Sequence, residues 1–360
     1  VTENRQKCGM REFGLFVLLL SATALAQPCK YNYDNFLSQN WTVTEEVQNV
    51  AVNLSGAVLV VIDMQKDFTF GSFGLPCFGT SPVLDTFIHK LAAFIRWFGS
   101  KGGYVVASKD WHPADHCSFG GESDCQNVAP PGSLQWYQNR FPVHCTFSNI
   151  TGAPEQSTAK GADFRGGDFH PLIAAELEPL IRRGQGSVVF KGFTRSFESF
   201  GAFSMEGAVQ AMQTGGWALR RGLDPQTDLD DFFPELEEMA DHQNKMISLA
   251  DLLKQKQIQS VLVSGLVFDY CCADTAKFAL TQTNLGPGAT SLLLPDLSRP
   301  SVDGSGAKVP SSPAPDAMLL GSSERILQAT GEMLRDHVRF VDSSEFQRLA
   351  DAGSPQKELQ

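Results

Sequence analysis

The chain is 360 residues long and carries 29 Lys and Arg against 40 Asp and Glu, a formal net charge of −11. Its length suits one large or two small domains, and its hydrophobic fraction of 42% is ordinary for a globular protein. Because the balance is acidic and no run of Lys or Arg occurs, we expect neither nucleic acid nor an anionic membrane as a partner.

Residues 1–26 have the pattern of a targeting segment. Met10 and Arg11 precede an apolar stretch, Phe13 to Leu20, and small residues follow up to Ala26. This pattern predicts a signal peptide cut after Ala26, with an apolar stretch too short to span a bilayer well. The alternative is an N-terminal anchor that stays in place. We therefore expect a protein that is secreted or held in the lumen of the secretory pathway, with no membrane contact after cleavage.

The cysteines and the glycosylation motifs fit such an oxidising compartment. Cys8 leaves with the leader, and an odd number then remains, which fits one thiol kept free for chemistry: Cys29, Cys77, Cys117, Cys125, Cys145, Cys271 and Cys272. Cys117 and Cys125 are close enough in sequence to pair, while the other pairings stay open. Acceptors for N-glycosylation occur at Asn40, Asn53 and Asn149. Asn53 lies close to a core strand, which argues against its glycosylation.

Short apolar runs then alternate with helical patterns. The run at 57–62 is continuous and β-branched, which is typical of a strand covered on both faces. Further strands are predicted at 104–107, 187–190, 260–263, 291–294 and 338–341, and helices at 82–100, 248–256, 273–280 and 322–335. This alternation predicts an α/β fold, a doubly wound and mainly parallel sheet with helices on both faces.

The alternation also predicts the domain organisation. An extension at 27–56 precedes a single domain at 57–342, and 343–360 is predicted to be a flexible tail. Three insertions interrupt the domain, near 146–168, 207–244 and 300–315. We interpret the acidic second one as a solvated excursion rather than a partner surface, and the third, rich in Ser, Pro and Gly, as a mobile loop.

Four chemically active side chains follow predicted strands at their C-terminal ends: Asp63, Asp110, Lys191 and Cys271. Ligands of open α/β sheets bind at that edge, so the convergence is more informative than any one residue. Taken singly, Asp63 could be a turn residue, Lys191 a solvated cation and Cys271 an inert buried thiol. The position of Cys271 before a helix predicts an activated thiolate, because helix N-termini favour anions.

Asp110 and His112 place a carboxylate and an imidazole on one side of an extended segment. With the distant His144 they form a two-His, one-carboxylate set suited to zinc, iron or manganese, and His116 is a candidate further ligand. The alternative is that Asp110 caps a turn and His112 is a surface residue.

Five segments, in this order, resemble the nicotinamidases within the isochorismatase-like cysteine hydrolases. They are Val61–Phe68, Asp110–Pro113, Phe141–Cys145, Phe190–Gly192 and Gly265–Thr275. They cover most of the domain, and their combination is specific although each alone is not. The resemblance implies the fold of that family over 57–342.

Carried over residue by residue, the resemblance implies two functional sets. The catalytic triad would be Asp63, Lys191 and Cys271, and a metal would be held by Asp110, His112 and His144. The resemblance also implies a cis peptide at Leu266–Val267 and an oxyanion hole formed by the backbone N–H groups of Val267 and Cys271.

Phe68, Phe141 and Phe200 match the positions that wall a pyridine ring in this family. This chain has Phe141 where the family often has Trp, and Phe200 where the family often has Tyr. It has Val267-Phe268 where the family often has Ala-Thr. These departures bear on the ring contacts and on the substrate range.

The resemblance implies hydrolysis of nicotinamide to nicotinate and ammonia through a cysteine thioester, with one divalent metal orienting the ring. Zinc is favoured, with iron or manganese as alternatives. The rival interpretations are a secreted cysteine amidohydrolase acting on another small amide, and an inactive binding protein of the same fold. A homo-oligomer stays open.

Overall fold

The structure is a computed structural model, and it describes residues 41, 43–71, 82–119, 125, 141, 143–155, 165–204, 214–220, 229, 231–281, 285, 288–300 and 323–353. The strands, in chain order, are β1 (Ala57–Ile62), β2 (Tyr104–Asp110), β3 (His112–Pro113), β4 (Thr146–Phe147), β5 (Gly186–Lys191), β6 (Trp217–Leu219), β7 (Met246–Ser248), β8 (Ser260–Leu266), β9 (Thr290–Arg299) and β10 (Arg339–Phe340).

The helices are α1 (Glu45–Val52), α2 (Lys66–Thr69), α3 (Pro82–Ser100), α4 (Pro171–Arg182), α5 (Leu236–Ala240), α6 (His242–Lys245), α7 (Leu249–Gln255), α8 (Ala273–Thr281), α9 (Ser323–Arg335) and α10 (Ser343–Gly353). A 3₁₀ turn at Leu54–Gly56 leads into β1, and a π-helical turn at Phe268–Cys272 leads into α8.

The central element is a sheet of eight strands in the order β10-β9-β8-β1-β2-β5-β6-β7. The pairs from β10 to β5 are parallel, whereas β6 pairs antiparallel with both β5 and β7. Every residue of β1 and β2 is buried although successive side chains point to opposite faces. Both faces are therefore covered, and the predicted doubly wound, mainly parallel α/β architecture is confirmed.

The structure lengthens several predicted strands at their C-terminal ends. β2 runs to Asp110 and β5 to Lys191, which pair with each other in register. These two residues therefore belong to the sheet itself, and neighbouring strands fix their spacing.

The predicted flexible tail at 343–360 is wrong for its described part. Residues 343–353 form α10, and its Phe346 is fully buried beside the rings of Phe94 and Trp97. The Asp296 carboxylate accepts the backbone N–H of Ser343 at 2.9 Å. The segment looked like a tail because only a few of its side chains are apolar, and its anchors come from elements far away in sequence.

The interpretation of 207–244 as a solvated excursion is also corrected by the structure. Trp217–Leu219 of this segment form β6 inside the main sheet, and Leu229 and Phe232 are buried. Residues 207–213, 221–228 and 230 of this segment lie outside the described residues. At 146–168, the carbonyl of Asp168 accepts the backbone N–H of Lys66 at 2.8 Å, so the end of that insertion holds the turn after β1.

The predicted disulfide between Cys117 and Cys125 is present. Cys145, Cys271 and Cys272 are free and buried. The leader, Cys29, Cys77, Asn40 and 301–315 of the predicted mobile loop lie outside the described residues, so secretion stays a prediction. Asn53 and Asn149 are both exposed. Within the described part, no helix has the length and apolarity needed to cross a membrane.

Replacing Phe346 by Ala should destabilise the folded protein by about 3–5 kcal/mol, because it removes a fully buried ring from the contact of α10 with α3. Urea unfolding measures the change, with the exposed Ser344→Ala on the same helix as the matched control. If both variants unfolded at the wild-type midpoint, residues 343–353 would be a tail after all.

Candidate active site

The four strand-end residues meet at the C-terminal edge of neighbouring strands. Asp63 follows β1, Asp110 ends β2, Lys191 ends β5, and Cys271 lies in the π-helical turn after β8. The strand order β8-β1-β2-β5 places all four on adjacent strands. Each is at most 5% exposed, so their charges interact away from bulk water.

Lys191 contacts the other three side chains. Its Nζ lies 2.8 Å from Asp63 Oδ2, donates a hydrogen bond to Asp110 Oδ1, and lies 3.8 Å from Cys271 Sγ. Burial disfavours the ammonium, but Asp110 and Asp63 outweigh that effect and raise the pKa of Lys191 well above its ordinary value. Lys191 is therefore a fixed cation at any working pH.

The surroundings of Asp63 raise the pKa of its carboxyl group. Its backbone has a φ of 48°, and Ser108 both accepts its N–H at 3.1 Å and donates its hydroxyl to Oδ1 at 2.6 Å. Burial raises the pKa of Asp63 to about 6, although Lys191 opposes the shift. A carboxyl that titrates this close to neutrality can accept and return a proton.

The Cys271 thiol is less acidic than its place before a helix led us to expect. Burial raises the pKa of Cys271 well above its ordinary value, and the carboxylates of Asp63 and Asp110 add to the shift, while Lys191 opposes it. This shift opposes the expected activation of the thiolate, which stays a prediction. The helix terminus favours the anion, whereas burial and the two neighbouring carboxylates disfavour it.

Three side chains can offer ligand atoms to one cation. The donor atoms of Asp110, His112 and His144 all lie within 4.8 Å of one another. Both histidines place Nε2 3.4 Å from Asp110 Oδ2. The His112 Nδ1–H donates to the Gly192 carbonyl at 2.9 Å, which leaves the Nε2 lone pair for a ligand.

The protonation states also suit a cation. Burial raises the pKa of Asp110, but Lys191 and His112 more than offset this and hold it well below its usual range. Burial lowers the pKa of His112, and so does His116. An anionic carboxylate and a neutral imidazole are the forms that bind metals, so Asp110 and His112 suit a divalent ion.

Side-chain hydrogen bonds to the backbone hold the segments that carry two of the donors, Asp110 and His144. Gln65 Oε1 accepts the Asp110 N–H at 2.8 Å, and Gln65 Nε2 donates to the Asp110 carbonyl, also at 2.8 Å. The Asp67 carboxylate accepts the N–H of Cys145, next to His144, at 2.7 Å. The turn after β1 thus holds both the strand that carries Asp110 and the loop that carries His144.

His116 does not join these donors. Its Nδ1 lies 2.7 Å from Ser118 Oγ and its Nε2 lies 3.0 Å from the Phe197 carbonyl, so both ring nitrogens are already occupied. Burial lowers the pKa of His116 to about 4, and the ring is neutral. The suggestion that His116 is a further ligand is wrong for this structure.

A cleft opens onto the thiol and the donors. The lining is mostly aromatic and includes the three predicted ring-contact residues Phe68, Phe141 and Phe200. The other lining residues are Asp110, His112, His144, Glu198, Val267, Tyr270 and Cys271. The Phe141 and Phe200 rings meet edge to face with centroids 5.9 Å apart. The implied cis peptide is present at Leu266–Val267.

Two lining residues were missed by sequence reasoning. Glu198 is a buried carboxylate on an irregular segment after β5, where no pattern marks a side chain as inward-facing. Tyr270 stands directly before Cys271 and packs against Phe200 at 5.6 Å. Its position next to the nucleophile candidate was a signal that could have been used.

Comparisons with known proteins agree with the motifs. The nicotinamidase of Escherichia coli (strain K12) is 27% identical over 223 residues, 62% of this chain and 75% of the relative. The nicotinamidase of Acinetobacter baylyi (strain ATCC 33305 / BD413 / ADP1) is 24% identical over 226 residues, 62% of this chain and 73% of the relative. No protein-family model matches the chain.

Solved structures of the same kind also align. An Acinetobacter baumanii nicotinamidase pyrazinamidase has 22% identity and a TM-score of 0.45, covering 81% of this chain and 98% of its own. The yeast nicotinamidase bound to the inhibitor nicotinaldehyde has 18% identity and a TM-score of 0.44, and the alignment covers 79% of this chain and 99% of the yeast chain.

The fold and the arrangement of a thiol, a carboxyl and an ammonium at one sheet edge resemble those of an α/β cysteine hydrolase. The sequence relatives then confirm the resemblance to the isochorismatase-like cysteine hydrolases and, within them, to the nicotinamidases.

Gly192 gives a direct test of the donor set. Its φ is +73°, and a Cβ there would overlap the His112 imidazole, 2.7 Å from Nδ1. Gly192→Ala should therefore weaken zinc binding by about 10- to 100-fold, as loss of a ligand's orientation does. The control is Gly184→Ala, with a similar φ of +69° and open space around the new Cβ. Competition with a chromophoric chelator measures both, and equal losses would show that backbone strain alone is responsible.

Proposed function

We propose that the chain hydrolyses nicotinamide to nicotinate and ammonia through a cysteine thioester. The observation that carries this proposal is the buried Lys191 ammonium, which contacts the Asp63 carboxyl, the Cys271 thiol and the metal donor Asp110. One cation thus links a base, a nucleophile and a candidate metal site. The names of the two sequence relatives support the same substrate.

The cleft suits a flat, neutral heteroaromatic amide. Phe68, Phe141 and Phe200 offer ring faces and edges, which pack against an aromatic ring at little entropic cost. Amide hydrolysis then requires the carboxamide carbon to lie at Cys271, on the floor of the same cleft. A carbamoyl or ureido compound would leave these apolar walls poorly filled.

Asp110, His112 and His144 would hold the divalent ion, with zinc first and iron or manganese as alternatives. Such an ion supplies a Lewis acid that can bind a pyridine nitrogen and polarise water. The chain's own residues prepare that site. Gly192 fixes the imidazole of His112 and Gln65 fixes the backbone of Asp110, so little reorganisation is needed on loading.

Acylation follows from the protonation states. The Cys271 thiol passes its proton to the Asp63 carboxylate while its sulfur forms a bond to the amide carbon. Burial raises the pKa of the Cys271 thiol, so we propose that proton loss and attack occur together. Lys191 stabilises the developing thiolate, and the N–H groups of Val267 and Cys271 hold the carbonyl oxyanion. Asp63 then gives its proton to the amide nitrogen as the C–N bond breaks, and ammonia leaves.

Deacylation uses the same groups in reverse. Asp63, again a carboxylate, takes a proton from a water molecule as the water oxygen attacks the thioester carbon. The C–S bond breaks, Asp63 returns the proton to the Cys271 sulfur, and the nicotinic acid that forms loses its carboxyl proton to solvent to give nicotinate. A base with a pKa of about 6 is strong enough to accept each proton and weak enough to release it.

Cys271→Ala should lower kcat for ammonia release on the order of 10⁶-fold, because no other group can form the thioester. Nicotinamide binding and the folded state should be retained, since the change removes one small buried atom. The control is Cys272→Ala, the neighbouring buried thiol, which should keep most of the activity. Wild-type turnover by the Cys271 variant would exclude the nucleophile assignment.

The pH dependence of kcat/KM should report Asp63. Asp63 acts as a base only when ionised, and its raised pKa moves the loss of that form from near pH 4 to about pH 6. We expect a plateau above pH 6 and a fall of about tenfold per unit below it. Ser108→Ala removes a hydrogen bond to the carboxylate and should shift this limb to higher pH. A profile that stays flat down to pH 4 would exclude Asp63 as the base.

A further inference from the structure

We propose that His116 is a positioning residue that holds the His112 imidazole in place for the cation. It does so by anchoring the loop after His112 to the segment that carries Glu198 and Phe200. This inference deepens the proposed function and rests on its metal site. It gives a task to a buried histidine that neither the metal donors nor the proton-transfer groups include.

The hydrogen bonds of His116 fix its tautomer. Nε2 faces the Phe197 carbonyl at 3.0 Å, and a carbonyl only accepts, so Nε2 must carry the proton. Nδ1 must then accept, and both the hydroxyl and the backbone N–H of Ser118 point to it, at 2.7 and 3.3 Å. The ring has no lone pair left for a metal and no freedom to turn.

The fixed ring packs directly on a metal donor. The His116 and His112 rings have centroids 4.2 Å apart and an interplanar angle of 37°. The His112 ring is also bounded by the edge of Phe119 at 5.3 Å, and its Nδ1–H is bound to the Gly192 carbonyl. His116 thus supplies one wall of a slot in which the His112 Nε2 can point only towards Asp110.

The same loop is joined to the segment after β5 at three depths. His116 makes the buried connection to Phe197. The backbone N–H of Cys117 donates to the Arg195 carbonyl at 2.9 Å. At the surface, Arg195 Nε lies 2.9 Å from Asp115 Oδ2, with both side chains more than half exposed. The deep and the surface connections can be removed separately.

The test compares zinc affinity among full-length variants by chelator competition, with the absorption spectrum of bound cobalt as a second measurement. His116→Ala should weaken zinc binding by about 10- to 100-fold and change the cobalt spectrum. His116→Gln keeps an N–H donor for the Phe197 carbonyl and should bind zinc more tightly than the Ala variant. Arg195→Ala, which breaks only the exposed connection, should bind zinc like wild type.

A third measurement separates positioning from general damage. The rate at which iodoacetamide alkylates Cys271 in metal-free protein, followed on its peptide by mass spectrometry, should be the same in His116→Ala and wild type. Equal zinc affinity in these two proteins would overturn the proposal, as would a Gln variant no better than the Ala variant. If the Ala variant does not fold, Ser118→Ala decides: weaker zinc binding supports the anchored ring, and unchanged binding overturns it.

These outcomes are independent of the reaction. A wild-type chain that binds zinc but releases no ammonia from nicotinamide contradicts the proposed hydrolysis, while the zinc comparison alone decides the role of His116. A wild-type chain that binds no divalent metal overturns both the metal assignment and this inference.

Discussion

The active site depends on one buried ammonium shared by two buried carboxylates. Taking such charges out of water costs several kcal/mol per ion, and the cost is offset only when partners are close and well oriented. Lys191 meets that condition with Asp63 and Asp110. Removing Lys191 would leave two buried carboxylates close together without a counter-charge. Its loss should therefore disturb the structure of the sheet's C-terminal edge as well as the chemistry of the site.

The shared cation also separates the tasks of the two carboxylates. Asp110 has His112 and His144 beside it in addition to Lys191, and its pKa is held low, so it stays an anion that suits a metal. Burial raises the pKa of Asp63 to about 6, because Lys191 and the Ser108 hydroxyl lower the pKa by less than burial and Asp110 raise it. Carboxyls whose environments push their pKa values apart are the usual sign of one structural and one proton-transferring role.

The sequence could identify the strand-end residues because a parallel sheet brings the ends of its strands together whatever the loops do. Asp63, Asp110, Lys191 and Cys271 needed no knowledge of side-chain packing. The thiol's pKa could not be obtained in this way, since it depends on how completely loops enclose Cys271. The sequence also could not show that His116 is not a metal ligand, because its hydrogen-bond partner Phe197 lies 81 residues away on an irregular segment.

Other errors have the same origin in long-range contacts. Residues 343–353 carry few apolar side chains, although Phe346 and Ala350 stand on one face of the docked helix α10 and are buried there. Its position is fixed by Asp296 in β9 and by rings on α3. Likewise, β6 is a strand of three residues, too short for an alternating pattern, and exists because β5 and β7 offer it hydrogen bonds on both sides. Contacts with distant elements place both α10 and β6.

The reach of Lys191 explains why the nucleophile lies beyond its strand. Three strand spacings of about 4.8 Å separate β5 from β8, so a thiol on β8 itself would be about 14 Å away. The four-carbon side chain of Lys191 spans part of that distance. The turn after β8 brings the Cys271 sulfur the rest of the way to the Lys191 ammonium. This turn can approach Asp63 because Gly265, with a φ of +106°, pairs with Ile62 where any Cβ would overlap the Ile62 backbone. A larger residue at 265 would part β1 from β8 and move Cys271 away from both its base and its cation.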